Sequence, residues 1–422
     1  MSRPASAGHA GLSAGLLGPT KPRLSESQPP PNIAALPVAS FPFDLRESLL
    51  DNTVPFVGKA GPHWGEDDAE AKECVVSCRF EGCYTALVTP MKSDRAQSID
   101  YAALENLVEF QIAAGVTGVV AVGTTGESPT LNWGEHADAI VRVAELAGDR
   151  CLVIGGTGSN STQESIASTR HVVDRGVKAV LLVDPYYNGP SSIEIRREYM
   201  EPVAREFPDV QVIPYIIPGR TGTQLLPEDL AVLHGECPNV SAVKEATGDI
   251  NNMRRTREVC GADFGILSGD DPLTYEMMTD KQIGASGVIS VVSNVAPAAV
   301  TRMTRALLTG DNAGAKRLAD ALQPLFNIVT VKTQEDSPYG KRLCKCRNPV
   351  PIKTLMRLLG MPVGPVRQPL GRMTPAGLQT VVTAAKQVWK NSPDVFESLG
   401  RAFDVDIEER LSDPAYQRGL SY

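Results

Sequence analysis

The chemistry this chain could perform gathers around one amine. Lys244 lies in NVSAVKEATG, Asn239 to Gly248, at the end of a short apolar run (Val240, Ala242, Val243) bounded by Pro238 and Gly248. Such a run reads as buried, and burial disfavours an ammonium, lowering its pKa until the amine is nucleophilic near neutral pH. The plain alternative is a lysine whose stem snorkels out of the strand end. Two phenols, Tyr187 and Tyr215, stand at the ends of other apolar runs. Each can carry a proton where hydroxyls ease its ionisation, or can serve as an amphipathic wall with a satisfied OH. GTTGES, Gly123 to Ser128, holds two adjacent hydroxyls, and Thr124 and Thr125 can divide the tasks of proton relay and carboxylate holding. Arg220, in YIIPGRTG, has the planar fork that matches a carboxylate. The set can hold a small carboxylate beside a reactive amine.

Other chemistries fit less well. GTTGES has no lysine before its serine and lacks the spacing of a phosphate loop. GGTGSN, Gly155 to Asn160, lacks the two-residue gap of the dinucleotide fingerprint. No two histidines have metal-ligand spacing, His136 and His171 lie in helical patterns, and Cys74, Cys78, Cys83, Cys344 and Cys346 match no standard zinc pattern. No cofactor and no metal are expected.

The elements that must position these residues read as alternating strands and helices, the pattern of a parallel sheet built from βα units. Candidate strands run over 84–88, 118–122, 152–155, 179–183, 210–215, 240–243, 264–268 and 287–291. Tyr101 to Ala114 has the helix period through Leu104, Leu107, Val108 and Ile112, with Asp100 to cap it and Gly115 to close it. Thr162 to Arg175 behaves likewise. Eight such units predict a (β/α)8 TIM barrel over 79–310, and in barrels of this kind the chemistry sits at the C-terminal ends of the strands. Three helices, 315–329, 352–359 and 374–389, are expected to form a C-terminal helical subdomain over 311–390. Lys332 to Arg347 reads as a polar loop too irregular to pack, and 391–422 as a charged, peripheral tail.

Residues 1–78 are rich in Ser, Ala, Gly and Pro and are expected to be a disordered extension. The first 30 residues contain one acid, Glu26, against Arg3, Lys21 and Arg23, a balance that transit peptides share with ordinary tails. The expected location is the cytoplasm, or the plastid stroma if the extension is a targeting segment. The chain has 422 residues and a net charge of -8, which argues against nucleic acid or an anionic membrane as partner.

Six stretches together carry a resemblance: GTTGES, DPYYN (Asp184 to Asn188), YIIPGRTG (Tyr215 to Gly222), KEATGD (Lys244 to Asp249), LSGDD (Leu267 to Asp271) and GVISV (Gly287 to Val291). In order and spacing, over roughly 80–390, the chain resembles the dihydrodipicolinate synthases (4-hydroxy-tetrahydrodipicolinate synthases). They belong to the Schiff-base aldolase family that also includes N-acetylneuraminate lyase. The resemblance implies that Lys244 forms an imine with pyruvate, and that Thr125 and the backbone at Ile289 hold the pyruvate carboxylate. It implies that Tyr215 is the proton donor and acceptor, linked through Thr124 to a Tyr187 offered by the neighbouring subunit. Arg220 would bind the carboxylate of L-aspartate 4-semialdehyde.

The resemblance also implies a homotetramer built as a dimer of dimers, and feedback inhibition by L-lysine. The matching positions for lysine are Ser128, Trp133, His136, Asn160, Glu164 and Tyr186. Two departures stand out, the N-terminal extension and the insertion at 332–347, and neither is expected to touch a strand end. The rival readings are a sister aldolase acting on a sugar-derived 2-keto acid, which Arg220 and KEATG argue against, and a non-catalytic binding barrel.

Overall fold

The computed structural model describes residues 80–422, so the expectations for the N-terminal extension, Cys74 and Cys78 fall outside the described residues. Eight strands pair in parallel in sequence order: β1 (Gly82–Ala86), β2 (Gly118–Ala121), β3 (Leu152–Gly156), β4 (Ala179–Val183), β5 (Gln211–Ile216), β6 (Ala242–Glu245), β7 (Gly265–Ser268) and β8 (Gly287–Ser290). β8 returns to β1 with Gly82 opposite Gly287 and Thr85 opposite Ser290, closing the expected barrel. A Cβ on Gly287 would lie 2.1 Å from the Gly82 carbonyl oxygen, so the seam requires glycine there.

Between the strands run α1 (Tyr101–Ala113), α2 (Trp133–Ala147), α3 (Thr162–Val173), α4 (Ser192–Glu194) leading through the π-helical Ile195–Met200 into α5 (Glu201–Glu206), α6 (Pro218–Thr221), α7 (Pro227–Glu236), α8 (Ile250–Cys260) and α9 (Thr274–Thr279). α10 (Pro297–Leu308) completes the ring. Local chemistry starts and stops these helices. Asp100 accepts the Ala103 N–H at the head of α1, Gly115 follows its end at φ 73°, and Asn132 with Glu135 forms a capping box on α2. Among the described residues no helix is long and apolar enough to cross a membrane.

Strand alternation sorts side chains into two cores. Phe80, Tyr84, Val120, Ile154, Leu181, Ile213, Ala242, Leu267 and Ile289 fill one cluster, and the larger cluster joins the other strand faces to the helices. Buried on both faces, the strands are nearly continuous apolar runs.

After α10 the chain departs from expectation. α11 (Asn312–Phe326) leads into an antiparallel hairpin, β9 (Thr330–Glu335) and β10 (Arg342–Arg347), where an unpacked polar loop was expected. α12 (Val350–Leu358) and α13 (Pro375–Asn391) follow, then α14 (Asp394–Phe403) and α15 (Ile407–Ser412). The last two correct the reading of 391–422 as peripheral, because Val395, Phe396, Leu399, Ile407 and Leu411 are buried in the main core. Their charged residues occupy the outer helix faces and hide the apolar stripe in a composition count.

A buried ion pair ties this C-terminal part to the loop after β2. Lys353 of α12 donates to Glu127 Oε1 at 2.6 Å and to the carbonyls of Thr89 and Pro365. The other Glu127 oxygen accepts the Arg367 N–H. Both side chains are essentially inaccessible, 1% and 0% exposed, so losing one partner strands a charge. Lys353→Met is therefore expected to lower unfolding free energy by about 3–5 kcal/mol in urea titration, and Lys353→Met/Glu127→Gln by less. Equal losses would contradict the pairing.

Candidate active site

Lys244 is the third residue of β6, inside the strand where the sequence suggested its end. Ala242 faces the barrel interior and Val243 the helices, so alternation turns Lys244 inward. Tyr215 of β5 pairs with Lys244 in register and also points inward. The Lys244 Nζ consequently lies 4.1 Å from the centre of the Tyr215 ring. Lys244 is 5% exposed.

Burial pulls the Lys244 pKa down to about 7; the Asp271 charge opposes this shift and the Arg220 charge adds to it. Asp271 is an incomplete counter-charge. Its Oδ2 accepts the N–H groups of Val291 (2.8 Å) and Val292 (3.1 Å), yet burial raises its own pKa to about 6. The phenol of Tyr215 is pushed up by burial, while the Arg220 charge and a hydrogen bond with the Thr124 side chain favour its ionised form. A partly deprotonated amine thus faces a phenol connected to a hydroxyl, the components of an imine-forming site with a proton relay.

Lys244, Tyr215, Thr125 and Arg220 line one cavity of about 460 Å³, together with Asp270. Asn348, which sequence reasoning passed over, organises it: its Nδ2 donates to the Thr125 hydroxyl (2.9 Å) and its carbonyl accepts from Arg220 (2.9 Å). Nothing in the local sequence marks Asn348, because both partners are far away along the chain. Lys332, Lys345 and Arg347 also line this cavity, correcting the expectation that the insertion stays clear of the strand ends. Ile289 is buried in the inner layer of β8, but the residue after that strand lining the cavity is Val291. Tyr187 is not brought to the cluster within this chain; it is 93% exposed, on a left-handed backbone at φ 81°.

The six remaining positions form two groups, Ser128 with Trp133 and His136, and Asn160 with Glu164 and Tyr186. A second cavity, of about 210 Å³, is lined by Thr124, Tyr215, Arg220, Ser128 and Tyr186. Behind its wall, Ser128 Oγ bonds His136 Nε2 (2.9 Å), Trp133 packs on the His136 ring, and Asn160 accepts the Tyr186 N–H (3.0 Å). Glu164 accepts the Ser159 hydroxyl and its charge helps burial raise the Tyr186 phenol. Burial holds His136 down to about 4, so the ring is neutral at physiological pH.

The site's electrostatics can be read directly. In protein carrying ¹³C-methylated lysines, the resonance lost in Lys244→Met is expected to titrate near pH 7, well below the ordinary 10.5 of an exposed lysine. Titration near 10 would contradict the burial argument.

Comparison with known proteins agrees with this geometry. Residues 79–388 match the family model described as the dihydrodipicolinate synthetase family. The chain is 39% identical over 294 residues to the 4-hydroxy-tetrahydrodipicolinate synthase of Methanococcus maripaludis, covering 70% of this chain and 93% of that protein. Its fold matches the dihydrodipicolinate synthase of Aquifex aeolicus with a TM-score of 0.67 at 36% identity, over 75% of this chain and 100% of that one. It also matches the lysine-bound enzyme of Cyanidioschyzon merolae, with a TM-score of 0.66 at 34% identity, over 73% of this chain and 98% of that one. The chain belongs to the dihydrodipicolinate synthetase family.

Proposed function

We propose that this protein condenses pyruvate with L-aspartate 4-semialdehyde to give 4-hydroxy-tetrahydrodipicolinate, a step of lysine (diaminopimelate) biosynthesis. The observation that carries this reading is the depressed Lys244 amine packed on Tyr215 in a cavity shared with Arg220. The neutral amine attacks the pyruvate carbonyl carbon, and water leaves as the imine forms. Loss of a methyl proton gives an enamine whose carbon attacks the aldehyde. The amine of the second substrate then attacks the imine carbon, closing the ring and releasing Lys244.

Tyr215, hydrogen-bonded with Thr124, supplies and takes up the protons. Thr125 and the backbone at Ile289 hold the pyruvate carboxylate, and Arg220 takes that of the semialdehyde. Tyr187 completes the relay from a neighbouring subunit of a homotetramer, a role that its exposure in one chain supports. The group formed by Ser128, Trp133, His136, Asn160, Glu164 and Tyr186 binds L-lysine as a feedback inhibitor. The shared wall of Tyr215, Ile217 and Arg220 gives the two cavities a direct physical link.

A coupled assay tests the reaction. The expected result is a kcat/KM for aspartate semialdehyde at least about tenfold above that for sugar-derived 2-keto acids. Lys244→Ala should be inactive, and Tyr215→Phe should lower kcat by about 10²–10⁴-fold. Preference for the sugar acids would favour the sister aldolase, and an undiminished Lys244→Ala would remove the imine. Millimolar L-lysine is expected to lower wild-type turnover and to act more weakly on Glu164→Gln; a flat wild-type titration would end the regulatory reading.

A further inference from the structure

The β9–β10 hairpin is asymmetric in charge. Val331 and Thr333 lie opposite Cys346 and Cys344 on one face, where Val331 is buried and the Thr333 hydroxyl approaches that of Thr374 at 3.4 Å. Alternation puts Lys332, its cross-strand partner Lys345, and Arg347 on the other face, which lines the cavity holding Lys244 and Arg220. Like charges directly opposite one another destabilise a strand pair. Among the described residues neither lysine has an ion-pair partner. Repulsion from Arg347, and further from Lys332 and Arg220, lowers the Lys345 pKa, so these four cations share one field. The acid among the residues lining this cavity is Asp270.

The hairpin is also fixed relative to Arg220. Arg347 donates to the Gly219 carbonyl at 2.8 Å, and Arg220 donates to the carbonyl of Asn348, next in sequence after β10. A carboxylate entering between them would relieve the repulsion and would meet cations on two sides.

We propose that the hairpin makes the barrel mouth a two-point anion site for a small dicarboxylate, with one carboxylate against Arg220 and the other against Lys332 and Lys345. Identifying its natural occupant as the dicarboxylate product after release from Lys244 rests on the reaction proposed above. Binding of a dicarboxylate does not.

Calorimetry with glutarate and butyrate, a dicarboxylate and a monocarboxylate, tests the site. Wild type is expected to bind glutarate at least about tenfold more tightly than butyrate, as two charge-assisted contacts replace one. Lys332→Gln/Lys345→Gln should bring the two affinities within about twofold, with its unfolding midpoint showing that it folds. Arg342→Gln, one charge removed from the opposite face, should keep the wild-type preference and exclude a general charge effect. Equal binding of the two acids by wild type, or a double variant that retains the preference, would overturn the proposal. Should the coupled assay fail while glutarate still binds as expected, the site stands and only its natural occupant changes. Should the reaction hold while the preference is missing, the anion site alone falls.

Discussion

An ammonium enclosed by eight strands must find a counter-charge or give up its proton, and Lys244 has only half of the first option. Asp271, the acid whose charge reaches it, is itself buried and committed to two backbone N–H groups, so the interior holds a poised amine instead of a settled ion pair. Strand register sets the rest. A one-residue slip of β6 would turn Lys244 into the helix layer and replace it with Val243 or Glu245, neither of which can form an imine.

The scaffold around that amine is divided between near and distant parts of the chain. β5 and β6 supply Tyr215 and Lys244 as register partners, and the loop after β2 supplies Thr124 and Thr125. The far wall comes from beyond the barrel. Asn348 bridges Thr125 and Arg220, and Lys353 holds Glu127 of the threonine loop through a buried ion pair. The C-terminal segment is thus structurally part of the cavity, and Phe396 and Leu399 anchor it in the main core.

The barrel was legible in the sequence because its strands are buried on both faces and stand out as apolar runs between capped, periodic helices. Lys244 was visible for the same reason: a charge in such a run is conspicuous. The hairpin was not, since Lys332, Lys345 and Arg347 line the mouth of the cavity and leave only Val331 and Cys346 to signal a packed face. Asn348 escaped because its two partners are close only after folding. α14 and α15 were obscured by charge on their outer faces. Tyr187 shows a different boundary: it is 93% exposed in this chain, and the partners proposed for it on a neighbouring subunit leave no trace in one sequence.

The proposed reaction requires the Lys244 amine to condense with a keto acid. Borohydride reduction in the presence of pyruvate, followed by mass measurement and peptide mapping, tests it most directly. One reduced pyruvate adduct per chain is expected, located on the peptide containing Lys244 and absent from Lys244→Ala. An unmodified protein, or an adduct that maps to another lysine, would contradict it.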